Sequence, residues 1–416
     1  MPVGRSQLRR ARVATFALFA TNGLVMGAWV VQIPAIERQT GVGHALLGLL
    51  LLVLGGGAFV GMQVCGPLSD RVGARRVAPI AAALCALALI GPALAGDAIG
   101  LAVALLLLGL GNGALDVAMN AHAVQVERHA GRPIMSAFHA TYSLGAGAAA
   151  LLGGLLQAAD AGPLVPALVV AGVGVVVAAS ARPFLLPPSP VAATAEPPVR
   201  RRRAPGRIWG LALLALCFFL AEGVANDWST LNLTSVHGAT PALAAAAYIG
   251  FSVAMTGGRL VADRVTARVG PVAVVRWGGL IGALGLTVVV VAPSVPVAVV
   301  GWTVFGLGVS GCVPQLFSAA GAGDPRTSGT FVARVAGLGY LGMLVGPAVI
   351  GPLTALVPLN VAFVLPAALC AAAATGARLV RPRPQEDLAT IGRARQHSSP
   401  RLSPLTTDCR EVLLRP

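Results

Sequence analysis

Acidic and amide side chains recur at helical spacing inside apolar stretches of this 416-residue chain. Asn112, Asp116 and Asn120 stand at i, i+4 and i+8, one polar stripe on an otherwise apolar helix. Glu222 and Asn226 repeat the i, i+4 spacing and Thr230 extends it. Asp227 and Trp228 point elsewhere around that helix, and Trp228 suits either an interfacial anchor or a cavity wall. His139 and Ser143 form a third i, i+4 pair, with Tyr142 beside them. An ionisable group at membrane depth costs about 2.5–3.5 kcal/mol on insertion scales, so Asp116 and Glu222 are expected to face a water-filled cavity. Desolvation disfavours their charged form, which makes both candidates for carrying a proton. His139, which titrates near neutrality when unperturbed, is a candidate carrier or a structural hydrogen bonder.

Further polar groups lie on neighbouring stretches. Asn22 and Trp29 are seven apart and share a helix face. Tryptophan beside polar groups suits a sugar ring, whose C–H faces stack on aromatics, and equally suits packing and belt anchoring. Gln315, beside Pro314, is expected to face the cavity at a kink. Asp70 and Asp263 each open an Asp-Arg-Val triplet at a helix end. A carboxylate near another helix's N-terminus gains about 0.3–1 kcal/mol. The candidate N-termini lie near Ser328–Thr330 and near Pro133. Arg71, Arg75 and Arg264 are expected to pair with acids or lipid phosphates, and Arg334 with Asp70; the alternative is that these charges only set topology.

The elements that hold these residues are membrane helices. Hydrophobic residues make up 56% of the chain and charged residues 11%, with a mean hydropathy of +0.80. A soluble domain carries about 25% charged residues. The net charge of +15 would suit a nucleic-acid binder, but every basic residue is arginine and the arginines fall in gaps between apolar runs. No interleaved aromatic and basic surface exists, which excludes a nucleic-acid partner. The cysteines (Cys65, Cys85, Cys217, Cys312, Cys370 and Cys409) form no CxxC pair and read as small buried hydrophobes, with no metal site and no disulfide framework.

Apolar stretches predict spans at 12–35, 44–68, 76–95, 98–126, 134–157, 163–181, 207–233, 241–262, 271–291, 295–320, 329–355 and 358–379. The first follows Arg5, Arg9, Arg10 and Arg12 but lacks a small-residue cleavage site, so it reads as a retained helix. Arginine fills alternate gaps (Arg71, Arg75 and Arg76; Arg128 and Arg132; Arg182 and Arg200 to Arg203; Arg264 and Arg268; Arg326) and places both termini in the cytoplasm, which requires an even number of spans. The expected organisation is a cytoplasmic N-terminus (1–11), six-helix bundles at 12–181 and 207–379, a Pro- and Arg-rich linker (182–206) and a disordered tail (380–416).

The two halves repeat weakly. GPLSDRVGARR (66–76) corresponds to GRLVADRVTARVG (258–270), and GLGNGALDVAMN (109–120) to GLGVSGCVPQLF (306–317), at nearly equal offsets. Twelve spans in two halves with G-x-x-x-D-R-x-G-x-R-R after the second resemble the major facilitator superfamily. DVAMNAHAVQVER (116–128), GRPIMSAFHATYSLGAG (131–147) and AEGVANDWS (221–229) resemble its YbjJ/MosC-like bacterial permeases, a branch related to fucose-permease-type sugar transporters. The second copy of the loop signature departs from the pattern by one extra residue and by Thr266 in place of a glycine. The resemblance implies that Asp70, Asp263 and their neighbouring arginines lock the cytoplasmic side in one conformation.

These readings converge on an all-α, multi-pass protein of a bacterial inner membrane, acting as a monomer among lipids and moving a small polar solute by alternating access. The resemblance leans towards a sugar, cyclitol or aminocyclitol. No Walker-type loop is present, and a proton gradient is the inferred drive, with no cofactor. A proton-antiport exporter of amine-bearing compounds and a non-transporting sensor remain the alternatives. No nucleophile–base or HExxH constellation supports an enzyme.

Overall fold

The computed structural model describes residues 4–159, 161–188 and 204–382. Arg200 to Arg203, Cys409 and the expected tail beyond 382 lie outside the described residues. The first half contains α1 Arg5–Thr40, α2 His44–Val72, α3 Ala74–Leu94, α4 Ala98–Ala130, α5 Met135–Ala158 and α6 Leu164–Ala181. The second contains α7 Gly206–His237, α8 Pro241–Val269, α9 Pro271–Val291, α10 Val295–Gly321, α11 Ser328–Leu353 and α12 Leu359–Val380. Eleven of the described helices are long and apolar enough to cross a membrane, and the remaining one, α5, has 24 residues. Large apolar side chains such as Leu49, Val64, Ile99, Leu151, Val253 and Val291 are exposed on the outside, as a lipid-facing surface requires.

Several helices outrun their apolar runs. The first begins at Arg5 rather than at 12, because arginine and glutamine are good helix formers that extend the helix past the bilayer. The eighth continues to Val269 rather than 262, so Asp263 lies inside its last two turns. α4 and α7 stop at Gly131 (φ 62°) and Gly238 (φ 63°), where a left-handed residue ends the helix. α10 is interrupted at Ser310–Gly311. Pro314 has no N–H for the Ser310 carbonyl, which accounts for the break.

The packing repeats across the halves. α1 lies on α5, α2 on α4, α3 on α4 and α6; correspondingly α7 lies on α11, α8 on α10, α9 on α10 and α12. The halves meet through α2 on α11 and, symmetrically, α8 on α5. Close approach within each half depends on glycine. A Cβ at Gly113 of α4 would collide with the Ala58 carbonyl of α2, and one at Gly342 of α11 with the Leu216 carbonyl of α7.

The chain leaving α6 docks onto the first half. Leu185 and Leu186 are fully buried, and the Leu186 N–H donates to His122 Nε2 at 2.9 Å. That bond places the imidazole proton on Nδ1, which donates to Thr15 Oγ1 at 3.0 Å; the threonine hydroxyl in turn donates to the Ala11 carbonyl at 2.7 Å. Gln125 Nε2 adds a bond to the Pro187 carbonyl at 2.7 Å.

Candidate functional site

The polar stripe of α4 lines the seam between the halves. Asn112 lies near Tyr340 of α11, and further along the same helix Arg128 Nη2 donates to the Gly321 carbonyl, and to that of Gly323 at 3.4 Å. Between them Asp116 is buried. Its Oδ1 accepts from Asn120 Nδ2 at 3.3 Å, and its Oδ2 has no partner among the described residues. On α5, Ser136, His139 and Ser143 present the matching face to the second half.

A charge that the polar-stripe reading does not single out completes this layer. Arg259 of α8 brings Nη2 to 3.6 Å from Glu222 Oε1 of α7, with the two side chains 11% and 14% exposed. Its Nη1 donates to Ser143 Oγ of α5 at 3.0 Å, across the seam. Its Nε is buried without a partner among the described residues. Tyr142 is half-buried and lies within electrostatic reach of Asp116, Glu222 and Arg259 together. Asn226 is half-buried one turn beyond Glu222, whereas Asp227 is exposed; Trp228 is half-buried beside Gly351 of α11.

One turn towards the arginine-rich end, aromatic rings cross the seam. His139 stacks on Phe317 of α10 (centroids 5.6 Å apart, planes at 25°) and meets Phe19 edge-on at 5.2 Å. Phe317 continues to Phe219, and Phe219 to Tyr340.

At the arginine-rich end, a carboxylate of each half meets a helix terminus of the other. Asp70 Oδ1 accepts from Gly329 N at 2.7 Å, and Oδ2 from Thr330 N at 2.8 Å and the Thr330 hydroxyl, all at the start of α11. Asp263 Oδ1 accepts from Ser136 N at 3.0 Å and Oδ2 from Ala137 N at 2.7 Å, at the start of α5. Asp70 and Asp263 therefore occupy equivalent places on α2 and α8, each gripping the first turn of a helix of the other half.

Some expected positions need correction. Trp29 does not face the seam: it lines a small internal void with Leu89 and Ala93 of α3 and Ala167 of α6. Thr15, Asn22 and Trp29 recur every seven residues, and Thr15 meets His122 of α4, so the whole stripe, Asn22 included, faces the interior of the first half. Gln315 shares its face with Cys312, which packs on α9 at the Val275 carbonyl, and points away from Phe317 and the seam. Arg334 does not reach Asp70, whose oxygens the α11 amides occupy; its guanidinium lies over the Trp209 ring, 5.6 Å from the centroid. Arg75 reaches the Pro183 carbonyl at 3.4 Å within its own half, and Arg71 and Arg264 are exposed. Among the described residues no His, Cys, Asp and Glu group is arranged to hold a metal ion.

Residues 14–320 match the model of the Major Facilitator Superfamily. An uncharacterised MFS-type transporter of Yersinia pestis is 36% identical over 376 residues, covering 89% of this chain and 95% of that one. Membrane protein MosC of Rhizobium meliloti is 30% identical over 339 residues, covering 80% and 81%. In fold, the chain is similar to FucP, the E. coli fucose:proton symporter, in its outward conformation, with a TM-score of 0.76, 17% identity and coverage of 89% and 98%. The chain belongs to the major facilitator superfamily. It is a multi-pass membrane transporter and not an enzyme.

Proposed function

We propose that this transporter carries a small polar, ring-bearing solute together with one proton, by alternating access around the layer formed by Asp116, Tyr142, Glu222 and Arg259. Asp116 carries the reading. Glu222 has Arg259 as counter-ion, whereas one oxygen of the Asp116 carboxylate has no partner among the described residues. A bare carboxylate is costly at that depth, and a proton neutralises it while the site is closed to water. With Asp116 protonated, the Asp116, Glu222 and Arg259 cluster is neutral, which suits an uncharged solute of the sugar or cyclitol class. The likeness to a fucose:proton symporter supports the same class.

The arginine excess supports a cytoplasmic position for the end where Asp70 and Asp263 grip helix termini. Asp70, Asp263 and Arg128 are its gate, and the segment 182–206 links two halves that rock about the site. Both halves of the site belong to one chain, so a monomer suffices.

Reconstituted vesicles enclosing a pH-sensitive dye test this reading with myo-inositol, L-fucose and cyclohexylamine under an imposed proton gradient. Solute-dependent proton movement is expected for the native protein and is lost in Asp116→Asn, which retains solute counterflow. Unchanged proton movement in Asp116→Asn refutes the assignment. A second reading, amine export by proton antiport, draws on the excess of two carboxylates over one guanidinium in this cluster. It predicts a pH signal of opposite sign, with cyclohexylamine.

A further inference from the structure

Resting on the transport reading above, we propose that Glu222 and Arg259 together clasp two adjacent ring hydroxyls of the solute, and that Ser143 holds the place of one of them until the solute arrives. Arg259 lies ten residues before Val269, the end of α8, which is about 15 Å into the bundle. A guanidinium so deep calls for a partner of matching chemistry. Glu222 is not a tight one: the closest approach is 3.6 Å, against about 2.7–2.9 Å for a charge-assisted hydrogen bond. The shorter contact is to a hydroxyl, Ser143 Oγ at 3.0 Å, and it comes from the other half. Ser143 Oγ itself donates to the His139 carbonyl at 3.4 Å, so towards Arg259 it acts as an acceptor, as a sugar hydroxyl would.

The surroundings select the class of solute. A carboxylate beside a guanidinium offers an acceptor and a donor side by side, the pattern that two vicinal hydroxyls satisfy. A solute anion meets Glu222 and Asp116 as well as Arg259. An amine without hydroxyls satisfies the carboxylates and leaves the Arg259 donors unmatched. One turn below, the stacked His139 and Phe317 rings provide an aromatic floor for the C–H face of a ring. When a solute hydroxyl replaces Ser143 Oγ on Arg259, a direct bond between the halves is exchanged for one through the solute. Occupancy then alters the attachment of one half to the other.

The test measures thermal stabilisation of the purified full-length protein in detergent by myo-inositol, L-fucose and cyclohexylamine. At least one of the two polyols is expected to stabilise the native protein, and cyclohexylamine is not. Arg259→Lys keeps the charge but loses the planar fork, and is expected to raise the half-saturating polyol concentration about tenfold. Ser143→Ala removes the competing hydroxyl and is expected to lower that concentration about threefold; a merely structural serine would raise it or leave it alone. The proposal is overturned by stabilisation with cyclohexylamine alone, by no response to either polyol, by unchanged polyol binding in Arg259→Lys, or by weaker or unchanged binding in Ser143→Ala. If Arg259→Lys does not fold, Ser143→Ala decides. Proton movement in the vesicle experiment is read separately: polyol binding that follows these rules without proton movement keeps the clasp and removes the coupling.

Discussion

Glu127 of α4 and Asp263 of α8 divide the first free amides of α5 between them. Glu127 Oε2 accepts from Ile134 N at 2.8 Å and Met135 N at 2.9 Å; Asp263 accepts from Ser136 N at 3.0 Å and Ala137 N at 2.7 Å. A helix leaves its first four N–H groups without internal partners. Glu127 belongs to the same half as α5 and keeps its two whatever the halves do. Asp263 belongs to the other half and holds its two only while the halves touch.

This division predicts a local signature of gate opening. Asp263→Asn removes the negative charge from the α5 terminus, a loss of about 1–2 kcal/mol for partly buried groups. Amide hydrogen exchange at Ser136 and Ala137 is expected to accelerate about fivefold to thirtyfold, while Ile134 and Met135 stay protected by Glu127. Asp70→Asn is expected to have the same effect at Gly329 and Thr330. Equal protection in variant and native protein would show that these carboxylates do not hold the end shut.

The carboxylate contacts at the helix ends are the part most legible from residues alone. The repeated Asp-Arg-Val marks two helix ends, and the six-helix periodicity pairs α2 with α11 and α8 with α5. Arg259 is missed for a different reason: it falls three residues from the end of the predicted span 241–262, and only the continuation of α8 to Val269 puts it deep in the bundle. Asn22 and Trp29 mislead differently. A helix in a six-helix bundle has one face towards its own half and one towards the seam, and a polar stripe is compatible with either. Spacing cannot choose between them; the void shared by Trp29, Leu89, Ala93 and Ala167 does. Asn112, Asp116 and Asn120 run beside Gly109 and Gly113, against which α2 packs too closely for any side chain.

The Glu222–Arg259 pair predicts strong non-additivity. Glu222→Gln leaves a guanidinium at membrane depth with Ser143 as its one hydrogen-bond partner among the described residues. The cost is expected to be about 1–3 kcal/mol, reduced from that of a fully buried pair by the residual exposure of both groups. Arg259→Gln alone strands the carboxylate and costs a similar amount. The double variant Glu222→Gln/Arg259→Gln removes both charges and is expected to recover most of the loss. Thermal unfolding of the four proteins in detergent closes the cycle, and additive losses would show that the two groups do not interact.

Asp116 behaves differently on the same measurement. Among the described residues its one bond to a side chain comes from Asn120 Nδ2, and the amide oxygen that Asp116→Asn introduces keeps an acceptor there. Asp116→Asn is therefore expected to unfold within about 1 kcal/mol of the native protein. Transport separates the two. Solute counterflow in the native protein is expected to vary with pH, as a carrier whose acid must load and release a proton does, and to lose that dependence in Asp116→Asn. A retained pH profile would move the proton to another group, with Glu222 the next to test.

His122 holds the start of the connection between the halves. Its Nε2 is the acceptor for the Leu186 N–H, and its Nδ1–H is the donor to Thr15. His122→Ala strands the buried Leu186 N–H and opens a gap between α1 and α4, for a loss of about 1–3 kcal/mol. The segment it holds follows the short turn Arg182–Phe184, whose Phe184 is exposed and stands directly before the buried Leu185 and Leu186. A protease must draw residues on both sides of the scissile bond into its cleft, so the docked leucines shield the Phe184–Leu185 bond. Chymotrypsin is expected to cut after Phe184 markedly faster in His122→Ala than in the native protein. His122→Gln, whose amide oxygen can accept from Leu186, is expected to restore part of the protection. An unchanged cleavage rate in His122→Ala would mean that Leu185 and Leu186 dock by burial alone and that the imidazole serves only to fill space between α1 and α4.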